Sequence, residues 1–310
     1  MQRSTRHETI LVPLDGSKFA ECALPIALGV ARRMDGQVGL VSVSSKKRRS
    51  PTRRVSTISP KDVNLIDEAA ANYLNGVAAR IAEFSSVPVF PTVLTGKPSA
   101  ALVKHAKRHH PELLVMSTHG RGPISRSWLG SVVDSVVRNV PMPVLLVRPE
   151  PNCEVELGDA HQFRRIVVPL DGSGLAEQSL QWAISFGGSE AQYSLVRVTP
   201  DSIPAWSPLL QIDTPDARDL VKAAHDESSE YLSAVKRTVE RDGLTVKTRI
   251  EDTMPSAVGI LEAAKEESAD LIVITTHGRG GLRRLVWGSV ADKVVRASHV
   301  PVLVVHPASG

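Results

Sequence analysis

The chain of 310 residues carries only two cysteines, Cys22 and Cys153, far apart in sequence. That scarcity excludes a disulfide-rich scaffold and a zinc site built on cysteine, and it sets the expectation of a reducing cytosol. No apolar run approaches the roughly 18–20 residues of a membrane span. The polar, charged stretch from Met1 to Thr9 lacks the apolar core of a secretion signal, so none is expected. Neither sign of charge dominates. Lys and Arg number 37 against 33 Asp and Glu, for a net +4, too mild to mark a nucleic-acid binder. Three signatures are also missing. Without Gly-x-x-x-x-Gly-Lys-[Ser/Thr] there is no Walker-type phosphate loop. No Gly-x-Gly-x-x-Gly follows the first strand-like run, and no Gly-x-Ser-x-Gly elbow occurs. What remains, 42% hydrophobic and 23% charged residues, fits a globular protein whose length suggests two domains.

The chain repeats itself. Ile10-Leu-Val-Pro-Leu-Asp-Gly-Ser17 returns as Ile166-Val-Val-Pro-Leu-Asp-Gly-Ser173. Ser117-Thr-His-Gly-Arg-Gly122 returns as Thr275-Thr-His-Gly-Arg-Gly280, and Pro143-Val-Leu-Leu-Val-Arg-Pro149 as Pro301-Val-Leu-Val-Val-His-Pro307. Asp171 follows Asp15 by 156 residues, and Gly278 follows Gly120 by 158. A period this long is a duplicated domain; solenoid repeats run about 20–50 residues. The expected domains are 1–150 and 163–310, joined by a polar segment.

In each copy, short apolar runs alternate with helical patterns. Strands are expected at 10–14, 38–43, 89–94, 113–117 and 144–147, with helices at 18–34, 61–85, 99–109 and 131–139. The second copy repeats the order, with strands near 165–170, 192–198, 245–250, 270–275 and 302–305 and helices near 174–187, 217–241, 256–268 and 289–298. Several strands are apolar throughout, as strands buried on both faces should be. Strand–helix alternation predicts βαβ units, hence two α/β, doubly wound, five-stranded parallel sheets of Rossmann-like, flavodoxin-sized form. Such sheets bind ligands beyond the carboxyl ends of their strands, at the topological switch point.

The residues at those ends are therefore the candidates. Strand 1 ends in Pro13 and Asp15-Gly16-Ser17, and its repeat in Pro169 and Asp171-Gly172-Ser173. The aspartates can accept hydrogen bonds from a ribose or base; equally, the tripeptide can turn the chain and cap the next helix. Strand 4 leads into His119, Gly120 and Arg121, then Gly130-Ser131-Val132; the repeat has His277, Gly278, Arg279 and Gly288-Ser289-Val290. Glycine lets backbone approach a ligand closely. A helix N-terminus behind such a loop presents N–H groups and a positive dipole end to phosphate. Ser131 and Ser289 are expected as N-caps, with Asp134 and Asp292 completing capping boxes.

These motifs resemble the universal stress protein family in its tandem form, over nearly the whole chain. Nucleotide-binding members carry Gly-x-x-Gly, nine residues, then Gly-Ser or Gly-Thr. Gly120 with Gly130-Ser131, and Gly278 with Gly288-Ser289, match its later positions. The resemblance implies ATP, with Mg²⁺ as a possible companion, bound by Asp15 and Asp171 on the adenine–ribose side. The strand-2 ends at Val43 and Val198 would line the adenine, and the loop glycines and serines would hold the phosphates. The first family glycine is replaced by Ser117 and Thr275. The substitution either narrows the pocket or adds a hydroxyl contact. The implied role is a stress-response switch or protective factor. A nucleotide-free interaction scaffold is the alternative, and a slow ATP hydrolase the third, which needs a base not evident here.

Other features carry less. His105 and His109, one helical turn apart, lack an apparent third metal ligand. The basic run from Lys46 to Arg54 has six cations and no aromatic for base stacking; a loop is expected. Trp128 and Trp287 either shield a nucleotide or pack beneath the loop. Cys22 falls in an amphipathic helix, where simple packing is expected. The apolar strand-5 runs invite edge pairing, between the lobes or in a homodimer.

Overall fold

The computed structural model describes residues 9–44, 60–118, 129–150, 153–158, 161–199, 215–252, 255–276 and 288–306; for 60–65, 215–218 and 220–221 it describes the backbone alone. The chain divides into two compact units, Met1–His161 and Gln162–Gly310.

In the first unit the order is β1 (Thr9–Pro13), α1 (Lys18–Glu21), α2 (Leu24–Arg33), β2 (Gln37–Ser44), α3 (Pro60–Phe84), β3 (Val89–Thr95), α4 (Pro98–His109), β4 (Leu113–Ser117), α5 (Ser131–Val137) and β5 (Val144–Val147). Its strands are parallel in the order β3-β2-β1-β4-β5. The chain thus winds outward from β1 to β3, then crosses to β4 on the other side, and the switch point lies between β1 and β4. β4 and β5 are buried along their whole length, which explains their unbroken apolar sequence. The edge strand β3 is more exposed and carries Pro91, whose missing N–H an edge tolerates.

The second unit repeats this with β6 (Arg165–Pro169), α6 (Gly174–Gly187), β7 (Gln192–Val198), α7 (Pro215–Glu240), β8 (Thr245–Glu251), α8 (Ser256–Glu266), β9 (Leu271–Thr275), α9 (Ser289–Ala297) and β10 (Val302–Val305), in the order β8-β7-β6-β9-β10. Even the registers match: Ile10 faces Leu113 as Ile166 faces Leu271.

Two expectations are corrected here. The helix expected over 18–34 is broken into α1 and α2, while its counterpart α6 runs uninterrupted. Pro25, in the first turn of α2, is the difference. It has no N–H to give and its ring crowds the preceding turn, whereas Gln181 stands at the equivalent position of α6. The second correction concerns the cysteines. Cys22, buried at the α1–α2 junction, is joined by a disulfide to Cys153, 131 residues later, across a Cα–Cα distance of 6.4 Å. The segment that follows belongs to the first unit. Leu157 is buried, Gly158 lies against Phe84, and a Cβ on Gly29 would stand 2.1 Å from the His161 carbonyl oxygen. Glycine at 29 is what lets this segment approach α2.

Candidate functional site

The strand-1 turn is built the same way twice. Gly16 and Gly172 adopt φ of 81° and 84°, a conformation that favours glycine. Asp15 Oδ1 accepts from the Ser17 backbone N–H at 2.9 Å and from its hydroxyl at 2.6 Å. Ser17 Oγ in turn accepts from Ala20 N–H at 3.2 Å, capping α1. Asp171, Ser173 and Ala176 repeat the arrangement at 2.9, 2.6 and 3.1 Å, capping α6. The turn-and-cap role is thus realised for both aspartates. It uses one carboxylate oxygen twice and holds each side chain rigidly at the carboxyl end of the central strand.

The neighbouring strand ends complete the rim. Pro13 and Pro169 close β1 and β6, and Val43 and Val198 pair with Leu94 and Glu251 near the ends of β2 and β7. At the end of β4, Ser117 and Thr118 are buried; Thr118 N–H donates to Val147 O at 2.8 Å, and Gly130 N–H to Thr118 O at 3.1 Å. That last bond pins together the two ends of the loop between β4 and α5. Ser131, Val132 and their counterparts Ser289 and Val290 open α5 and α9.

The expected capping boxes do not form. The N-caps are Gly130 and Gly288, and neither helix start receives a side-chain cap. Asp134 instead pairs with Arg138 at 3.0 Å, and Asp292 with Arg296 at 2.9 Å, each four residues on. An i,i+4 arginine fork competes successfully for the carboxylate. The first N–H groups of α5 and α9 therefore take no acceptor from an N-cap side chain. A Cβ on Gly130 would stand 3.3 Å from Thr118 O, so glycine keeps this entrance low. The sites expected at Gly120, Arg121, Gly278 and Arg279, with His119, His277, Trp128 and Trp287, lie outside the described residues, as does the basic run at 46–54.

A duplicated pair escaped the motif reading. Tyr73 donates to Glu21 at 2.8 Å, and Tyr231 donates to Glu177 at 3.0 Å. Glu21 also pairs with Arg80, while the Arg197 guanidinium lies 5.0 Å from the centre of the Tyr231 ring. Tyr231 follows Tyr73 by 158 residues, the same spacing as the loop glycines, so the repeat itself was the available signal. Burial first, then the bonded glutamate, pushes both phenols well above their ordinary value of 10.0. Each phenol also feels the charge of the strand-1 aspartate of its own unit. A group with a raised folded pKa stabilises the fold fully below its unfolded pKa and loses that contribution as pH rises beyond it. Replacing both, Tyr73→Phe with Tyr231→Phe, should therefore flatten the fall in stability above pH 10, measured by urea unfolding across pH 8–11.

On α4, the His105 and His109 rings lie 4.3 Å apart. Burial, then His109 and Arg108, hold the His105 pKa below its usual value. Among the described residues no group of three or more His, Cys, Asp or Glu is placed to hold a metal ion, and no helix is long and apolar enough to cross a membrane.

The universal stress protein family model matches residues 7–148 and 162–306. The chain belongs to the universal stress protein family. Its two matched segments are the tandem form of that family's domain. Universal stress protein MJ0531 of Methanocaldococcus jannaschii is 32% identical over 145 residues, covering 46% of this chain and 82% of its own. Universal stress protein Rv2005c of Mycobacterium tuberculosis is 31% identical over 199 residues, 62% of this chain and 61% of its own length. The crystal structure of a universal stress protein from Archaeoglobus fulgidus shares the fold over 97% of this chain and 99% of that one, at TM-score 0.69 and 20% identity.

Proposed function

We propose that this tandem universal stress protein binds an adenine nucleotide, ATP first, at the switch point of each lobe, and acts as a cytoplasmic stress-response switch or protective factor. One observation carries the reading. A glycine-capped helix start without a side-chain cap stands at the strand end neighbouring a rigidly held aspartate, and the chain builds this twice. The helix start suits phosphates and the aspartate suits ribose hydroxyls or base N–H groups. Pro13, Val43 and Val132, like Pro169, Val198 and Val290, would flank the base and sugar. Gly120, Arg121, Gly278 and Arg279 would close over the phosphates, with Mg²⁺ accompanying them.

A second reading, a nucleotide-free scaffold that pairs through its strand-5 edges, is favoured by a different observation. Asp15 and Asp171 are already employed as turn acceptors, and buried Ser117 and Thr275 stand where the family carries glycine.

Gly130→Asp with Gly288→Asp separates the two readings. Both glycines have extended backbone, φ −56° and −63°, which aspartate adopts freely, and aspartate is itself a good N-cap. The fold should persist with a shift of a few tenths of an ångström where the new Cβ at 130 meets the Thr118 carbonyl oxygen. A carboxylate at the helix start repels phosphate, so Mg-ATP affinity should fall at least roughly a hundredfold. Unchanged affinity in a folded double variant would overturn the site, and function that survives lost binding would favour the scaffold.

A further inference from the structure

We propose that Cys22 and Cys153 form a reversible redox latch, which decides whether the segment after β5 stays fastened to the first unit. The two cysteines are the whole thiol complement of the chain, and the fold brings them to a Cα–Cα distance of 6.4 Å, within the usual disulfide span of about 4.4–6.8 Å. They sit on different kinds of structure. Cys22 is buried at the α1–α2 junction, and Cys153 is part-exposed in the segment leading to the second unit.

Besides the disulfide, described contacts also hold that segment. Leu157 is its buried apolar side chain, Gly158 rests on Phe84, and His161 lies on Gly29. Among the described residues no backbone hydrogen bond joins 153–158 to α1, α2 or α3; the Cys153 N–H bonds locally, to Glu150 O at 3.1 Å. The disulfide adds a covalent fastening to these contacts.

Both redox states are provided for. In the disulfide form the Cys22 sulfur lies 3.2 Å from the Lys18 carbonyl oxygen, an acceptor within reach of the thiol that reduction would create, so no buried donor need be stranded. Part-exposed Cys153 is the side from which a dissolved thiol can attack. The chemistry balances with a low-molecular-weight disulfide such as oxidised glutathione. One cysteine thiolate attacks it, a mixed disulfide forms and one glutathione thiolate leaves. The second cysteine then displaces the other glutathione, so the protein loses two electrons and two protons and two glutathione thiols are released.

The latch belongs to the first unit alone. Gln178 occupies the equivalent of Cys22, inside uninterrupted α6. Fastened, the chain is held on the first unit as far as His161, and the second unit begins at Gln162. Released, residues 153–158 lose their covalent hold on the α1–α2 junction.

The test uses the full chain in buffers of reduced or oxidised glutathione. Free thiols are counted by alkylation and intact mass, and hydrogen exchange is followed by peptide. In excess reduced glutathione both cysteines should alkylate and exchange over 153–161 should rise roughly tenfold or more, with β4 and β5 unchanged. Oxidised glutathione should reverse both effects. Cys153→Ser should keep the fast exchange in either buffer. Gly29→Ala, which crowds the His161 carbonyl without touching sulfur, should speed exchange near 161 while leaving alkylation redox-dependent. Three results would overturn the proposal: no disulfide in excess oxidised glutathione, a disulfide that survives excess reduced glutathione in the native protein, or exchange over 153–161 indifferent to redox state.

Discussion

Gly187→Ala should lower the stability of the second unit by about 3 kcal/mol, the upper range for overpacking a filled core. Gly187 ends α6, and a Cβ there would stand 2.6 Å from Ala191 Cβ, 2.6 Å from Tyr193 Oη and 2.7 Å from Ile166 Cδ1. None of the three can retreat cheaply. The alanine Cβ is fixed to its backbone. Tyr193 is fully buried and donates to Gly188 O at 2.7 Å, so moving its ring breaks that bond. Ile166 is part of the β6 core. The expected result is a lower urea midpoint for the second unit with an unchanged m-value, followed by segment-resolved hydrogen exchange. The first unit should keep its midpoint. An unmoved midpoint in the second unit would show that this corner yields more easily than its contacts imply.

Cys22→Ser should cost the oxidised first unit about 4–5 kcal/mol. In the chain-entropy model a cross-link closing a loop of about 100 residues or more contributes that much, and this one separates its ends by 131. The serine hydroxyl keeps the Lys18 carbonyl within reach, so the variant loses the cross-link without gaining an unsatisfied group. Reduced wild-type protein should fall to nearly the same stability. Urea unfolding of both proteins, with and without reductant, checks this. Equal stability of wild type and variant under oxidising conditions would mean that the cross-link constrains little.

The repeat made the architecture legible. Because β1, β4 and β5 are buried, their sequences are apolar without alternation, and the same signal appears at both spacings. Duplication then turned weak tripeptides into paired evidence. What escaped the sequence has local physical causes. Pro25 breaks the first helix, but the apolar periodicity runs straight through it. Ser131 and Ser289 have the composition of caps, yet the preceding glycine takes that position and the aspartates go to Arg138 and Arg296. Cys22 and Cys153 meet only because the chain after β5 folds back along α2, which spacing alone does not report. Tyr73 and Tyr231 lay in plain view at the repeat offset, but their glutamate partners are a helix away, and pairing across helices has no sequence period. Asp15 and Asp171 fulfil the turn-and-cap role, each through one carboxylate oxygen.

The most direct measurement is calorimetric titration of nucleotide-stripped protein with Mg-ATP, with AMP as comparison. The account predicts saturable binding at a stoichiometry of about two, tighter for ATP than for AMP, because in the proposed site the helix starts would hold the terminal phosphates. No heat, together with no thermal shift at millimolar Mg-ATP, would contradict it.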